Sequence, residues 1–295
     1  MKYSELNKPL VCMQTQSTCY NKTIKMDVKG VLWHSTGANN KTLKRYVQPS
    51  DNDPNKSAML ALLGKNTNGN DWNHIYREAG LNCWIGTLAD GTVTTVQTMP
   101  WNFRPWGCGG GKKGSCNTGW IQFEICEDNL KDPVYFKQAY TEACEITAYL
   151  CKMFNINPHG TSKIAGVDCP TILCHQDSYR LGLGGNHSDV YNWFNNFGYT
   201  MDNVRNDVAK LMKEDDEMLT YDQWKDYMLQ YRNELRDNDC GTWSKEARDF
   251  VIKNKIFAGS GTDAEGQPNF MWEDMLTREQ CAQLLYTFAK KFGLA

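Results

Sequence analysis

The apolar positions change period several times along the chain. "VKGVLWHSTG" (28–37) is an apolar run that stops in a polar turn, and it predicts a buried strand ending at His34. "NKTLKRYVQPSDNDP" predicts a short helix breaking into a Pro/Asn/Asp loop. "CWIGTLADGTVTTVQTMP" (83–100) reads as two strands joined by an Asp-Gly turn, a hairpin. "WNFRPWGCGGGKKGSCNTG" has no period and is rich in glycine, a long loop of the kind that carries function. "WIQFEICED" (120–128) returns to a strand pattern. "DPVYFKQAYTEACEITAYLCKMFNI" (132–156) is a strongly amphipathic helix with Asp132 as N-cap and Pro133 in its first turn. "PTIL" is a further strand-like run. The stretch from His175 to Phe194 reads as a glycine-rich loop, and "MDNVRNDVAKLM" as a helix. Strands and helices mix without strict alternation. That predicts a mixed α/β class, with a central mixed sheet flanked by helices.

The pattern shifts near Met212. "KEDDE" looks like a charged joint, followed by a polar amphipathic helix (220–235), a helix, a glycine-rich turn and a last helix capped by Thr277. The expected division is therefore 1–212 and 213–295, the second part a small helical module.

Composition narrows the class. The chain has 295 residues, 41% hydrophobic and 12% aromatic, enough apolar material for a real core. A net charge of -2 lacks the basic bias of a nucleic-acid binder. The first residues hold no apolar run of signal-peptide length, and no segment reaches the ~18 apolar residues of a membrane span, which leads us to expect a protein outside the general secretion route. There are 12 cysteines but no C-x-x-C pair, so we expect reduced thiols acting as small hydrophobes, Cys126, Cys144 and Cys151 among them.

Five histidines are present. His34 ends a strand, His175 follows the apolar "PTIL", and His187 and Asp189 come after "GLGGN", where glycines let the backbone approach another element closely. Two strand ends and a tight loop can converge on one ion, and a catalytic zinc wants three such ligands with a fourth position open. Glu124 sits mid-strand among Phe123 and Ile125, a position costly for a carboxylate unless it serves a partner.

Taken in order, "VLWHSTG", "LADGTVTTV", "NTGWIQFEICED" and "ILCHQDSYRLGLGGNHSDVYNWF" resemble the zinc-dependent N-acetylmuramoyl-L-alanine amidases of the amidase-2 family, of phage or prophage endolysin type, which share their fold with the peptidoglycan recognition proteins. The resemblance spans roughly residues 28–212. It implies a Zn2+ cofactor held by His34 and His175, with Asp189 as third ligand and His187 the alternative. It implies Glu124 as the base for the attacking water, where "IQFE" stands for the family's I-G-I-E. With Asp189 as ligand, His187 takes the place of the family's lysine as the oxyanion-stabilising group; that lysine and a following proline are both missing. His74 and His159 have no counterpart and are read as structural or surface residues. Trp101, Trp106 and Lys112 in the glycine-rich loop are read as a cleft wall for substrate.

The tail resembles a single S-layer-homology-like repeat, whose expected partner is a cell-wall polymer; self-association into a homo-oligomer is its other reading. The function implied is hydrolysis of the amide between N-acetylmuramic acid and L-alanine of peptidoglycan. Such an enzyme would stay cytoplasmic until a membrane pore releases it to the wall. Two alternatives stay open: a non-catalytic muropeptide-binding protein on the same fold, and an amidase of soluble anhydro-muropeptides.

Overall fold

The computed structural model describes residues 1–216, 221–235, 237–262 and 266–294. The chain divides into two compact units, Met1–Glu217 and Met218–Ala295.

The first unit is built on a six-stranded sheet. In chain order its elements are β1 (Leu10–Val11), α1 (Thr18–Lys22), β2 (Gly30–Ser35), α2 (Lys56–Leu63), β3 (Cys83–Thr87), β4 (Val93–Gln97), β5 (Trp120–Ile125) and α3 (Pro133–Met153). They continue with β6 (Thr161–Ile164), β7 (Val167–Pro170), β8 (Ile172–Cys174), α4 (His175–Arg180), α5 (Tyr191–Phe194) and α6 (Met201–Asp216). Strand order is β1-β4-β3-β5-β2-β8, with β6 and β7 forming a separate hairpin. Only β3 and β4 pair antiparallel within the large sheet; its other pairings are parallel. The expected mixed α/β sheet flanked by helices is what forms.

Strand period sorts the two faces. Val31 and Trp33 of β2, Ile121, Phe123 and Ile125 of β5, and Ile172 and Cys174 of β8 turn to one side. There they form the main core with Tyr135, Phe136, Tyr140 and Leu150 of α3 and Val204 and Val208 of α6. The alternate residues of the same strands face the other way. Leu32, Trp120 and Leu173 join one small cluster there, and Trp84 and Cys126 join another. Between those clusters lie His34, Gln122 and Glu124. Helix α3 starts where the sequence says it should: Asp132 accepts hydrogen bonds from the amides of Val134 and Tyr135, and Pro133 occupies the first turn.

Two sequence expectations are corrected, and one element is added that the sequence did not suggest. The segment opening at His175 is a helical turn, α4, rather than loop. The stretch 161–170, which no expectation covered, is a hairpin turning through Ala165 and Gly166, both at positive φ. The charged joint expected at 213 is helical through Asp216. Asp215 explains this: it accepts from the chain's N-terminal amine at 3.1 Å and from Lys152 at 2.5 Å, which anchors the last turn of α6 to the N-terminus and to α3. The rest of that joint, Glu217, lies outside the described residues, as do Thr220, where the next helix was expected to begin, and 263–265 in the glycine-rich turn.

The second unit holds α7 (Tyr221–Glu234), α8 (Lys245–Lys253) and α9 (Arg278–Lys291). Thr277 and Gln280 close a capping box at the start of α9. Arg232 of α7 makes two hydrogen bonds to Asp274, at 3.1 and 2.9 Å. Among the described residues, no helix is long and apolar enough to cross a membrane. All twelve cysteines are free thiols, and Cys126, Cys144 and Cys151 are buried.

Candidate metal centre

Parallel pairing of β2 with β5 sets His34 opposite Glu124. Both side chains leave the sheet on the face away from α3, so adjacent strands place them about 5 Å apart at the backbone. Pairing of β2 with β8 puts Trp33 opposite Cys174, so His175, the next residue, emerges beside His34. Asp189 arrives from the loop after α4, held by a hydrogen bond from the Gln176 amide to its carbonyl (3.0 Å). The glycines of that loop serve close approach: a Cβ on Gly184 would fall 2.1 Å from the Ser178 hydroxyl.

The three side chains converge. His34 Nδ1 lies 3.0 Å from His175 Nδ1 and 3.1 Å from Asp189 Oδ2, and His175 Nδ1 lies 3.3 Å from Asp189 Oδ1. All three residues are buried, at 1%, 5% and 8% exposure. Ligands 2.0–2.1 Å from a tetrahedral ion are separated from each other by roughly 3.3 Å. The donor set and its spacing therefore fit such an ion. Electrostatics point the same way. Burial alone would depress the His34 imidazole, but the hydrogen bond and charge of Asp189 outweigh it and raise His34 to about 9. Burial also opposes ionisation of Asp189, yet His175 and His34 hold its carboxyl well below the usual range. His175 is lowered, chiefly by burial. A cation entering this site would compete with a proton on His34.

Glu124 is half-buried, and its Oε2 is buried without a hydrogen-bond partner. Burial pushes its carboxyl up to about 8; the nearby His34 works against that shift, and Asp189 and Glu127 add to it. An orphaned buried carboxylate oxygen beside a candidate ion site is an acceptor in waiting.

Residues 24–191, more than half of the chain, match the family model described as N-acetylmuramoyl-L-alanine amidase. The chain belongs to the Amidase_2 family. No protein of curated function matches it. Similar solved structures include the Staphylococcus aureus hydrolase AmiA in complex with its ligand, 15% identical with a TM-score of 0.45, covering 69% of this chain and 83% of that one. The catalytic domain of XlyA is 16% identical with a TM-score of 0.40, covering 67% and 98%. A mutant endolysin from Bacillus subtilis is 16% identical with a TM-score of 0.37, covering 67% and 97%.

The remaining candidates of this amidase are dispersed. His187 is exposed and stacks on His175, ring centroids 4.7 Å apart, so it stands at the open side of the triad and not inside it. Trp106 is exposed and lines a cleft with Ile24, Tyr76 and Arg104. The next residue, Gly107, passes so close to His34 that a Cβ there would lie 3.3 Å from its Nε2. Lys112 lines a separate shallow depression with Tyr179, Arg180 and Gly185. Trp101 is half-buried and packs against the helix-side core, away from the face that carries His34. His74 bonds Asp71 at 2.8 Å and His159 is exposed; neither joins the triad. No role for Gln122 was read from the sequence, yet its Oε1 lies 2.9 Å from His34 Nε2. Its signal was parity: two residues before Glu124 on a strand means the same face.

Proposed function

We propose that this amidase is a zinc-dependent peptidoglycan hydrolase that cleaves the amide between N-acetylmuramic acid and L-alanine. The observation that carries the reading is the buried convergence of His34, His175 and Asp189 beside the orphaned Glu124 oxygen. In this proposal the two Nδ1 atoms and the Asp189 carboxylate hold the ion. When bound, zinc polarises the scissile carbonyl and makes a neighbouring water acidic at neutral pH. Glu124 takes the proton of the attacking water and returns it to the leaving amine. His187, on the open side, donates to the oxygen on which negative charge develops. Trp106, whose neighbour Gly107 lies against His34, and Lys112, which shares a depression with Gly185 beside His175, are the residues we assign to substrate contact. A muropeptide-binding protein that does not cut has no use for an uncompensated Glu124, which favours catalysis. An amidase of soluble anhydro-fragments would act on those and leave intact sacculi alone; we expect the reverse, with lysis of cell walls.

The third ligand has its own test. Asp189→Ala is expected to lose zinc, whereas His187→Ala keeps it and loses turnover. If metal analysis of the two purified variants finds the opposite, the two roles exchange.

For the second unit we propose self-association. Among its described residues, Ile256 and Asn269 are the only buried ones. With so few buried residues, a unit of this size is marginally stable alone. Tyr221, Trp224, Met228 and Tyr231 of α7, with Leu235 just after it, recur at alternating three- and four-residue spacing, the pattern of a coiled-coil seam. Tyr221, Trp224 and Tyr231 are 69%, 49% and 53% exposed. Together with Leu285, Tyr286 and Phe288 of α9 and Phe292 just after it they offer roughly 700 Å2 at ~150–250 Å2 per aromatic side chain, close to one partner's share of a standard interface. A heptad seam is self-complementary, and another copy of this chain is the partner always present at synthesis. The full chain is expected to run above its 33.7 kDa monomer mass in sedimentation or light scattering, and Trp224→Glu with Tyr231→Glu to lower it. A wild-type monomer at tens of micromolar with 218–295 resistant to protease would overturn this, all the more if it is retained on purified walls.

A further inference from the structure

We infer that Gln122, fixed by Asn117, dictates which nitrogen of His34 is free to bind the ion. The inference rests on His34 being a ligand, as proposed above. Several groups around this pair have a polarity that cannot change. The backbone amides of Gly107 and Cys108 only donate, and both point at Asn117 Oδ1, at 3.1 and 3.3 Å. The backbone carbonyl of Gly109 only accepts, and Asn117 Nδ2 donates to it at 2.7 Å. The Asn117 amide is therefore held in one orientation from both ends. The Cys108 thiol donates to the same oxygen at 3.3 Å.

An oxygen facing Gln122 demands a donor from it. Gln122 Nε2 supplies one at 2.9 Å and directs its other hydrogen towards Cys108 Sγ, at 3.6 Å. Its Oε1 is thereby turned to His34 Nε2, 2.9 Å away, where only an N–H can satisfy it. An imidazole carrying its hydrogen on Nε2 leaves the Nδ1 lone pair open, and Nδ1 is the atom facing His175 and Asp189. Gly107 closes over the relay: a Cβ there would sit 2.5 Å from Gln122 Oε1. The backbone of Gln122 is fixed as well, its amide bonded by Asn82 Oδ1 at 3.0 Å. This chain reads I-Q-F-E where the resembling family reads I-G-I-E, and a glycine has no side chain to do this work. Gln122 is thus a positioning residue, acting on the metal centre through His34.

The test compares Gln122→Met and Gln122→Glu with the wild-type full chain. Zinc affinity is measured by competition with a chromogenic chelator, and the His34 ring is observed by ¹⁵N NMR in the zinc-loaded protein. We expect wild type to show the hydrogen on Nε2 and Nδ1 bound to the ion. Gln122→Met, similar in volume but with no acceptor, should weaken zinc ~10–100-fold, the usual effect of losing an outer-shell partner. Gln122→Glu in its protonated form donates to Asn117 and accepts from His34 as the amide does, so it should restore most of the affinity. A role in packing alone predicts the reverse order, since Met is the better apolar filler. Zinc bound equally by wild type and Gln122→Met, or zinc found on Nε2, would overturn the inference. A wild-type chain that binds no zinc would remove the amidase mechanism first and this inference with it, so the two failures are told apart.

Discussion

Replacing His34 or His175 by alanine is expected to abolish zinc retention and amide hydrolysis together. Each imidazole contributes an Nδ1 within 3.3 Å of both other ligands, so removing either leaves two protein ligands where a catalytic site needs three. The loss goes beyond one bond. Asp189 is held ionised in a buried position by these two histidines; with one gone, its charge is poorly compensated and the carboxyl takes up a proton more readily. The variants should therefore be metal-free after dialysis and inactive on purified sacculi, with turnover down by on the order of 10³ or more. The sign of the pH effect follows from His34. Its metal-free pKa of about 9 means a proton competes with the ion at neutral pH, so wild-type zinc affinity should rise as pH is raised towards 9, with a proton released on loading. Stoichiometric zinc in either alanine variant would remove the proposed centre.

How much of this could be read from residues alone depends on the range of the interaction. Local rules sufficed for α3, where Asp132, Pro133 and an amphipathic period act within one segment, and for the hairpin around Asp90-Gly91. The strand-end placement of His34 was equally visible. Its partnership with Glu124 was not, because register between β2 and β5 joins positions 90 residues apart in sequence, and no local pattern fixes it. The helical turn at His175 was hidden for a related reason. "HQDSYR" has no apolar stripe, and the turn is held by tertiary contacts such as the Gln176 amide on the Asp189 carbonyl. Trp101 is a different case. An aromatic in a glycine-rich loop reads as a ligand platform, and this one is half-buried and packs against the main core. Gln122 was passed over because a glutamine in a strand is unremarkable until the donors and acceptors around it are known.

Glu124→Gln is expected to keep its zinc and lose turnover by on the order of 10² or more, the contribution of a positioned base. Glutamine preserves the volume of the side chain but cannot take up a proton, so packing of β5 against β2 and β3 is untouched while the acceptor is lost. Glu124→Ala should match it in activity. The metal-free protein gives an independent measure of the same group. Its folded-state pKa of about 8 lies above the ordinary 4.5, which means the folded chain holds this proton more tightly than the unfolded one. Stability is then fullest below pH 4.5 and falls as pH rises to 8, because ionisation strands a charge whose Oε2 has no partner. Glu124→Gln removes that loss: its thermal midpoint without metal should exceed that of wild type at pH 8 and match it in mild acid. A bound cation reverses the balance by favouring the carboxylate, which is the form the reaction needs at neutral pH. The two readouts separate the roles. A variant that hydrolyses walls at the wild-type rate would show that Glu124 is not the base, even if its pH–stability profile shifts as expected; an unshifted profile with lost turnover would place the proton acceptor here but deny that burial is what tunes it.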